Sequence, residues 1–215
     1  MKNSLNGIFA PINIPFTSDE EVDYLGLSKN LQFYLNSELN GLLLLGSNGE
    51  YKSLTEEEKI KIVETSTQLI AKRKTIIVGL MVESFYLAKT FIEKVRNFGI
   101  DYLLVQPPFY FRGKFTEEDY YHYYVDIAEI SPFPLMIYNA PGFTGVDFSA
   151  ELINRLAELD QIVGIKDSSK VEKELSSKLS VLTGTANTLY EMLEKNATGG
   201  VVSLANFLPE LPIRI

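Results

Sequence analysis

The chain alternates between short apolar runs and longer segments whose apolar residues recur every three or four positions. Glycine or proline brackets the short runs, which favours strands even where leucine, a good helix former, dominates them. The strands are predicted at residues 7–16, 41–46, 74–79, 101–106, 134–138, 162–166, 180–183 and 199–204. The helices are predicted at residues 23–37, 56–71, 83–98, 117–130, 149–159, 170–178 and 187–195.

Helix boundaries are indicated by capping residues. Thr55 precedes an acidic turn with Glu58 three positions on, which is typical of a capping box. Thr116 begins a second acidic turn of the same kind. Gly99 is predicted as the C′ residue that closes the helix before it.

The predicted strands are nearly continuous apolar runs, which indicates burial on both faces and therefore parallel pairing. Regular alternation of such strands with helices favours a (β/α)8 barrel, the TIM barrel, over an open doubly wound sheet. The first strand is not followed by a glycine-rich dinucleotide or phosphate-loop pattern, which also argues against an open nucleotide-binding sheet. We expect residues 1–215 to form a single barrel domain that lacks its last helix, because the sequence stops soon after the eighth strand.

Composition and charge exclude several classes of function. The net charge of −8 argues against nucleic acid or an anionic membrane as a partner, since both need a basic surface. The chain has no cysteine, so it has neither disulfides nor thiolate metal ligands. It has no apolar run near the roughly 20 residues of a membrane span, and its start does not resemble a signal peptide. We therefore expect a cytoplasmic globular protein.

Lys166 ends the predicted sixth strand and is the strongest candidate for chemistry. A solvated lysine has a pKa of about 10.4 and is a poor nucleophile at neutral pH. Burial at the end of a strand disfavours the ammonium and produces an amine able to form a Schiff base. The alternative is a lysine that extends from the strand end into solvent, and this stretch alone does not decide between the two.

Other polar groups follow the strands at the end where TIM barrels carry their active sites. Ser47 and Asn48 form a donor cluster suited to a carboxylate, although the same residues also suit an ordinary turn. Tyr138 ends the strand before Lys166, and a phenol there can relay protons while the amine attacks a carbonyl. His122 is the only histidine and lies within a helical run of tyrosines, so a structural role is favoured for it and for them.

Three motifs together carry a resemblance to a known family: Gly46-Ser47-Asn48-Gly49-Glu50, Tyr138-Asn139-Ala140-Pro141 and Gly164-Ile165-Lys166-Asp167-Ser168. Their order and strand positions resemble the dihydrodipicolinate synthase / N-acetylneuraminate lyase superfamily, and the resemblance runs from Gly7 to the last residues. The resemblance implies a class I, pyruvate-dependent lyase or aldolase on a TIM barrel. It further implies that a C-terminal helical extension is missing here.

The resemblance also implies roles for individual residues. Lys166 forms the Schiff base with the keto carbon of pyruvate or a 2-oxo acid, and Tyr138 relays protons. Ser47 and Asn48 hold the substrate carboxylate, with the Ser47 hydroxyl joining the relay. Tyr110 reaches into the site of a neighbouring copy in a homodimer or homotetramer. Backbone atoms line the substrate pocket at two further positions, Gly184 and Val202.

Departures from the family pattern bear on the substrate. Phe143 stands where dihydrodipicolinate synthases typically carry an arginine that grips a carboxylate, which argues against aspartate semialdehyde. Residues 185–187 replace the acidic pair of N-acetylneuraminate lyases. The form of the carboxylate motif favours 4-hydroxy-2-oxoglutarate or a 2-keto-3-deoxy sugar acid as substrate. Condensation of pyruvate with aspartate semialdehyde and a non-catalytic 2-oxo acid binding protein remain alternatives, and the implied chemistry uses no metal or cofactor.

Overall fold

A computed structural model describes residues 5–169 and 173–215, and these residues form a closed barrel of eight parallel strands. The strands are β1 (Gly7–Pro11), β2 (Gly41–Leu44), β3 (Thr75–Leu80), β4 (Tyr102–Val105), β5 (Leu135–Asn139), β6 (Ile162–Asp167), β7 (Ser180–Thr183) and β8 (Gly199–Val201). The helices are α1 (Tyr24–Leu35), α2 (Glu56–Ile70), α3 (Phe85–Val95), α4 (Glu117–Ile130), α5 (Pro141–Thr144), α6 (Ala150–Leu156), α7 (Leu189–Glu194) and α8 (Glu210–Ile213). The predicted fold class is therefore confirmed.

The barrel closes because β1 pairs with β2 on one side and with β8 on the other. At the closing seam Gly7 lies opposite Gly199. A Cβ at Gly199 would stand 2.0 Å from the Gly7 carbonyl oxygen, so the two backbones approach this closely only because the residue has no side chain.

Alternate residues along each strand divide the apolar side chains into an interior and an outer layer. Leu43 of β2 belongs to the smaller cluster inside the barrel, whereas its neighbours Leu42 and Leu44 pack in the larger outer cluster with the helices. Tyr138 of β5 lies in the interior cluster. Because both layers are apolar, the strands are buried on both faces, which is why their sequences read as continuous apolar runs.

The predicted N-terminal caps are present. The Thr55 hydroxyl accepts the Glu58 N–H while the Glu58 carboxylate accepts the Thr55 N–H, and Thr116 forms the same box with Asp119. The predicted role of Gly99 is wrong. Helix α3 ends at Val95, and the Phe98 N–H then donates to the Val95 carbonyl, so a turn ends the helix before the glycine is reached.

The predicted helix at residues 170–178 is not confirmed. Residues 170–172 lie outside the described part of the chain, and residues 173–178 carry no helix. Asn154 of α6 holds this backbone instead, since its side chain accepts the Ser176 N–H at 2.7 Å and donates to the Glu174 carbonyl at 3.0 Å. These bonds compete with a helical ladder in a segment that contains two serines.

The last elements are shorter than predicted. The eighth strand ends at Val201 and is followed by a 3-10 turn at Ser203–Asn206, and α7 begins with a 3-10 turn at Ala186–Thr188. After the predicted end of the barrel the structure adds a single helical turn, α8. Within the described residues, every helix is too short or too polar to span a membrane.

Candidate active site

Lys166 lies on β6 between Tyr138 of β5 and Leu182 of β7, which are its register partners. Successive side chains of a strand point to opposite faces, and Ile165 belongs to the outer cluster, so Lys166 points into the barrel. The residue is 8% exposed, and its Nζ stands 3.4 Å from the Ser168 Oγ and 4.9 Å from the centre of the Tyr138 ring. The lysine is thus a buried cation beside a phenol, not a side chain that extends into solvent.

Burial lowers the pKa of Lys166 from 10.5 to about 8, and the neighbouring Asp167 carboxylate partly opposes this shift. At pH 7 roughly a tenth of such amines are neutral, against about one in 3,000 for a lysine in water. The environment therefore raises the concentration of the nucleophilic form by more than about 100-fold.

Tyr138 and Ser47 form the second part of the site. Burial raises the pKa of Tyr138, and a hydrogen bond with Ser47 partly offsets that rise. The phenol is 4% exposed and remains protonated at neutral pH, so it is able to donate a proton. Ser47 is an exposed residue at the mouth of the barrel and connects this buried phenol to the surface.

The position of Ser47 depends on a strained turn at the end of β2. Leu45 is buried and has a φ of 55°, a left-handed conformation that is unfavourable for a bulky residue. Its carbonyl oxygen lies 2.5 Å from the place of a Cβ on Gly79 in β3, so the turn fits only beside a glycine. The 3-10 turn Ser47–Gly49 follows at once, and its first N–H groups have no acceptor within the turn.

Asn48 lies between the mouth of the barrel and the end of β8. The Ser203 hydroxyl contacts the Asn48 side chain at both Nδ2, 3.0 Å away, and Oδ1, 3.2 Å away. The structure therefore holds the Asn48 amide in place across the seam where the barrel closes.

The two pocket-lining positions predicted from the resemblance differ in their surroundings. A Cβ on Gly184 would stand 3.0 Å from the Lys166 Nζ and 1.8 Å from the Ser168 Oγ, so Gly184 is an immediate neighbour of the amine. Val202 is fully buried in the outer cluster, its N–H donates to the Phe9 carbonyl, and its carbonyl accepts the Ala205 N–H. A contact between the Val202 backbone and substrate stays a prediction.

Tyr110 is a surface residue of the single chain. Its side chain is 75% exposed and packs edge-on against Phe111, with ring centres 4.8 Å apart. The Glu83 carboxylate accepts the backbone N–H groups of Phe109 and Tyr110, which fixes the loop after β4. Lys166 and Tyr138 lie together, whereas Tyr110 faces outward.

Sequence reasoning assigned no role to Tyr51, Gln106 or Ser168, all of which lie near the site. The Tyr51 hydroxyl donates to Gln106 Oε1 at 2.9 Å, and burial together with the nearby Tyr138 phenol raises the pKa of Tyr51 to about 12. Gln106 ends a predicted strand, and Ser168 follows Lys166 by two positions. For Gln106 and Ser168, the position at a strand end was the available signal, whereas Tyr51 lies in the 3-10 turn Tyr51–Ser53.

The tyrosine-rich helix α4 packs one of its faces into the core. Tyr120, Tyr123 and Tyr124 are buried in the outer cluster, and His122 pairs on the surface with Glu118 at 3.1 Å. Across residues 5–169 and 173–215, histidine and carboxylate side chains form no group suited to a metal ion.

A substitution at Gly184 tests how closely the lysine is surrounded. We expect Gly184→Ala to lower the rate of covalent adduct formation with a 2-oxo acid by about 10-fold to 100-fold, because the new methyl group displaces Ser168 and crowds the amine. Gly99→Ala is the matched control, since the nearest atom to its added Cβ would be 3.9 Å away, far from the site. Equal rates for the two variants would show that Gly184 leaves the amine free space.

A buried lysine at a strand end of a closed (β/α)8 barrel, paired with a protonated tyrosine, is the arrangement of a Schiff-base-forming aldolase. Comparison with known proteins agrees. The sequence pattern of the dihydrodipicolinate synthetase family matches residues 4–215, and the chain belongs to this family. It is an enzyme of the family's class, a class I, pyruvate-dependent lyase or aldolase.

Individual relatives support the same assignment. The chain is 32% identical to the 4-hydroxy-tetrahydrodipicolinate synthase of Rickettsia bellii, over 98% of this chain and 73% of that protein. It is 28% identical to the enzyme of the same name from Kosmotoga olearia, over 97% of this chain and 74% of the relative. Among solved structures, the dihydrodipicolinate synthase of Acinetobacter baumannii, described in complex with pyruvate, superimposes with a TM-score of 0.93 at 31% identity, over 98% of this chain and 74% of that one.

Proposed function

We propose that Lys166 forms a Schiff base with the keto carbon of pyruvate and that the enzyme makes or breaks a carbon–carbon bond between pyruvate and an aldehyde. The observation that carries this proposal is the buried Lys166 amine, whose pKa is lowered to about 8, beside the Tyr138 phenol. A nucleophile and a proton donor in contact are the two groups that imine chemistry requires.

The proposed reaction begins when the neutral Lys166 amine attacks the keto carbon. A carbon–nitrogen bond forms, the keto oxygen takes up protons and leaves as water, and an iminium ion remains. Tyr138, which gives one of those protons to the leaving oxygen, takes a proton from the methyl carbon as the enamine forms. The enamine carbon then attacks the aldehyde carbon, and the aldehyde oxygen takes that proton from Tyr138. Water then hydrolyses the iminium and releases Lys166, and the reverse sequence cleaves a 4-hydroxy-2-oxo acid.

Tyr138 serves this sequence as the proton relay. Its raised pKa keeps it protonated as the donor, and the hydrogen bond with Ser47 stabilises the phenolate when the proton has left. Because Ser47 is exposed, the relay extends from the buried iminium to the mouth of the barrel. Tyr110 of a neighbouring copy would extend the relay further. Such a contact between copies would explain why the large Tyr110 side chain is exposed on the single chain.

The pyruvate carboxylate binds at the turn after β2. Ser47 and Asn48 present backbone N–H groups at the start of a 3-10 turn, and the contact with Ser203 orients the Asn48 side chain. Gly184 and Val202 contribute backbone atoms at the ends of β7 and β8. At Gly184, the absence of a side chain lets the Ser168 hydroxyl and the Lys166 amine lie directly against the backbone.

For the second substrate we propose 4-hydroxy-2-oxoglutarate or a 2-keto-3-deoxy sugar acid, in the direction of cleavage. Phe143 is 73% exposed on α5 and offers no charge to a second carboxylate. The hydroxyl groups of a 2-keto-3-deoxy sugar acid need no arginine at this surface, whereas the second carboxylate of 4-hydroxy-2-oxoglutarate would need a cation elsewhere in the site.

Condensation of pyruvate with aspartate semialdehyde is a second candidate, because the relatives named above are 4-hydroxy-tetrahydrodipicolinate synthases. One observation of this chain favours it. Arg112 packs against Gly145, and its Nε would stand 2.5 Å from a Cβ added there. Since Gly145 follows Phe143 by two positions, the Arg112 guanidinium lies against the loop that carries Phe143. Arg112 is therefore available to bind a carboxylate at the loop that lost the family's arginine.

The intact mass of the protein after incubation with pyruvate and borohydride tests the Schiff base. We expect a gain of one reduced pyruvate, mapped by peptide analysis to Lys166. A folded protein, as judged by circular dichroism, that gains no mass would contradict the proposal and favour a non-catalytic 2-oxo acid binding protein.

A substrate comparison separates the two candidates. We expect the enzyme to release pyruvate from 4-hydroxy-2-oxoglutarate or a 2-keto-3-deoxy sugar acid. The kcat/KM of this cleavage should be at least about 100-fold above that of condensation with aspartate semialdehyde. The opposite ratio would make this chain a dihydrodipicolinate synthase that uses a different cation.

A further inference from the structure

Five polar residues form a closed ring of contacts just outside the barrel, behind the Tyr138–Lys166 pair. The strand-end ring consists of Asn139, Asp147, Asp167, Ser169 and Lys173. The Asn139 Nδ2 donates to Asp167 Oδ1 at 3.0 Å and to Asp147 Oδ1 at 3.1 Å. The Asp147 Oδ1 also accepts the Lys173 Nζ at 2.6 Å, the Lys173 Nζ donates to Ser169 Oγ at 3.2 Å, and the Ser169 N–H returns to Asp167 Oδ1 at 2.8 Å.

Most of the ring is withdrawn from water. Asn139 is 1% exposed, Asp167 is 8% exposed, and the side chain of Lys173 is also 8% exposed, whereas Asp147 is 40% exposed. A lysine buried to this degree is costly unless it is paired, and the short contact with Asp147 supplies that pairing. An ion pair whose lysine is buried and hydrogen-bonded on both sides fixes geometry more than a pair of two exposed charges does.

The ring joins directly to the two residues that the proposed reaction uses. Asn139 follows Tyr138 on β5, and Asp167 follows Lys166 on β6, with Asn139 opposite Asp167 in the register. Because successive residues of a strand point to opposite faces, outward anchoring of Asn139 and Asp167 fixes the inward direction of their neighbours. The ring therefore holds the amine and the phenol opposite each other.

The charges in the ring also act on the amine. Asp167 is the carboxylate whose charge favours the ammonium form of Lys166. The other groups beside Lys166 are the Ser168 hydroxyl, 3.4 Å from its Nζ, the Tyr138 phenol on β5 and the apolar Leu182 on β7. A positive charge in the ring weakens the effect of Asp167 on the amine, and Lys173 supplies that charge.

We propose that Lys173 is a positioning residue of the active site: its ammonium closes the strand-end ring, holds Lys166 opposite Tyr138, and offsets the Asp167 carboxylate that would otherwise favour the ammonium of Lys166. This inference rests on the proposed function of Lys166 as the Schiff-base nucleophile. Lys173 touches neither substrate nor the reacting atoms, and acts through Asp147, Ser169 and Asp167.

Other charged groups line the same outer groove as Lys173. Glu174 follows it in the chain, and Glu191 and Lys195 lie on or beside α7, where they form an ion pair at 3.0 Å. Since Glu191 and Lys195 carry opposite charges, their net effect on the ring is small, and Asp147 remains the direct partner of Lys173.

The pH dependence of adduct formation by the intact chain of residues 1–215 tests the inference. Each variant is incubated with pyruvate over a range of pH, quenched with borohydride and measured by intact mass. Lys173→Gln keeps a hydrogen-bond donor but removes the charge, so the rate profile should move to higher pH by about half a unit or more, with a fall of about threefold at pH 7. Lys173→Arg keeps the positive charge, so its pH–rate profile should match that of the wild type.

A surface lysine provides the matched control. Lys178 pairs with Glu158 at 2.6 Å, but both side chains are more than half exposed, so Lys178→Gln should leave the profile unchanged. The inference is overturned if Lys173→Gln has the wild-type profile, or if Lys173→Arg shifts it as far as Lys173→Gln does. If Lys173→Gln does not fold, Asp147→Asn replaces it and should shift the profile to lower pH, and an unchanged profile in that folded variant overturns the inference.

The two proposals fail in different ways. A wild-type protein that forms no adduct at any pH rejects Lys166 as the nucleophile. A wild-type adduct together with identical profiles for the ring variants rejects only the role of Lys173.

Discussion

Replacing Lys166 with methionine is expected to abolish the pyruvate adduct and to lower turnover by at least about 10³-fold, which is the scale of losing a covalent nucleophile. Methionine fills a similar volume inside the barrel without an amine, so the loss reports chemistry and not a cavity. Intact mass after borohydride reduction and steady-state kinetics give the two measurements.

Lys74→Met is the matched control for this substitution. Lys74 is also partly buried, burial also lowers its pKa, and its Nζ donates to the Ser37 and Leu39 carbonyls, before the start of β3. It should keep the adduct even if it loses stability. An adduct that survives in Lys166→Met, or that disappears in Lys74→Met, would place the nucleophile elsewhere.

The same Lys166→Met variant should be more stable than the wild type at neutral pH. The pKa of Lys166 is about 8 in the folded protein and 10.5 in the unfolded chain, so below pH 8 the folded state carries a buried ammonium. That state costs up to about 3 kcal/mol, which methionine avoids. The stability gain should be full below pH 8 and fade as the pH rises to about 10.5, as chemical denaturation at several pH values would measure.

Local features of this fold were predictable because their causes lie within a few residues. The capping boxes at Thr55 and Thr116 depend on side chains three positions apart, and both are present. The apolar runs predicted the strands because a barrel strand is buried on both faces. The nearness of Tyr138 and Lys166 also followed, since strands adjacent in the chain are adjacent in a (β/α)8 barrel.

Contacts made across the closed barrel were not predictable. The bond between Asn48 and Ser203 joins residues 155 positions apart and exists only because β8 returns to β1. The closeness of Gly184 to the Lys166 amine depends on the register of β7. Lys173 was assigned to a helix, whereas the fold buries its side chain against Asp147 in a segment without helix. Such partners are chosen by tertiary packing, which overrides local propensity.

Replacing Tyr138 with phenylalanine is expected to lower kcat by about 100-fold to 1,000-fold and to change KM by less than about threefold. The phenol donates its proton as the new carbon–carbon bond forms, so its loss affects the transition state and not the binding of pyruvate. The adduct with Lys166 should still form, more slowly, because the amine keeps its burial. Steady-state kinetics and borohydride trapping measure the two effects.

Tyr124→Phe separates this catalytic loss from the removal of a buried hydroxyl. The Tyr124 hydroxyl is buried outside the barrel and donates to the Val105 carbonyl at 2.6 Å, so its removal should cost about 1 kcal/mol of stability with kcat nearly unchanged. Tyr138→Phe loses a hydrogen bond with Ser47 and also loses the proton relay. If both variants lose kcat equally, or if Tyr138→Phe raises KM as much as it lowers kcat, Tyr138 is a packing or binding residue and the proton must come from another group. Tyr51 is the next candidate, since its hydroxyl lies near Tyr138 and is bonded to Gln106.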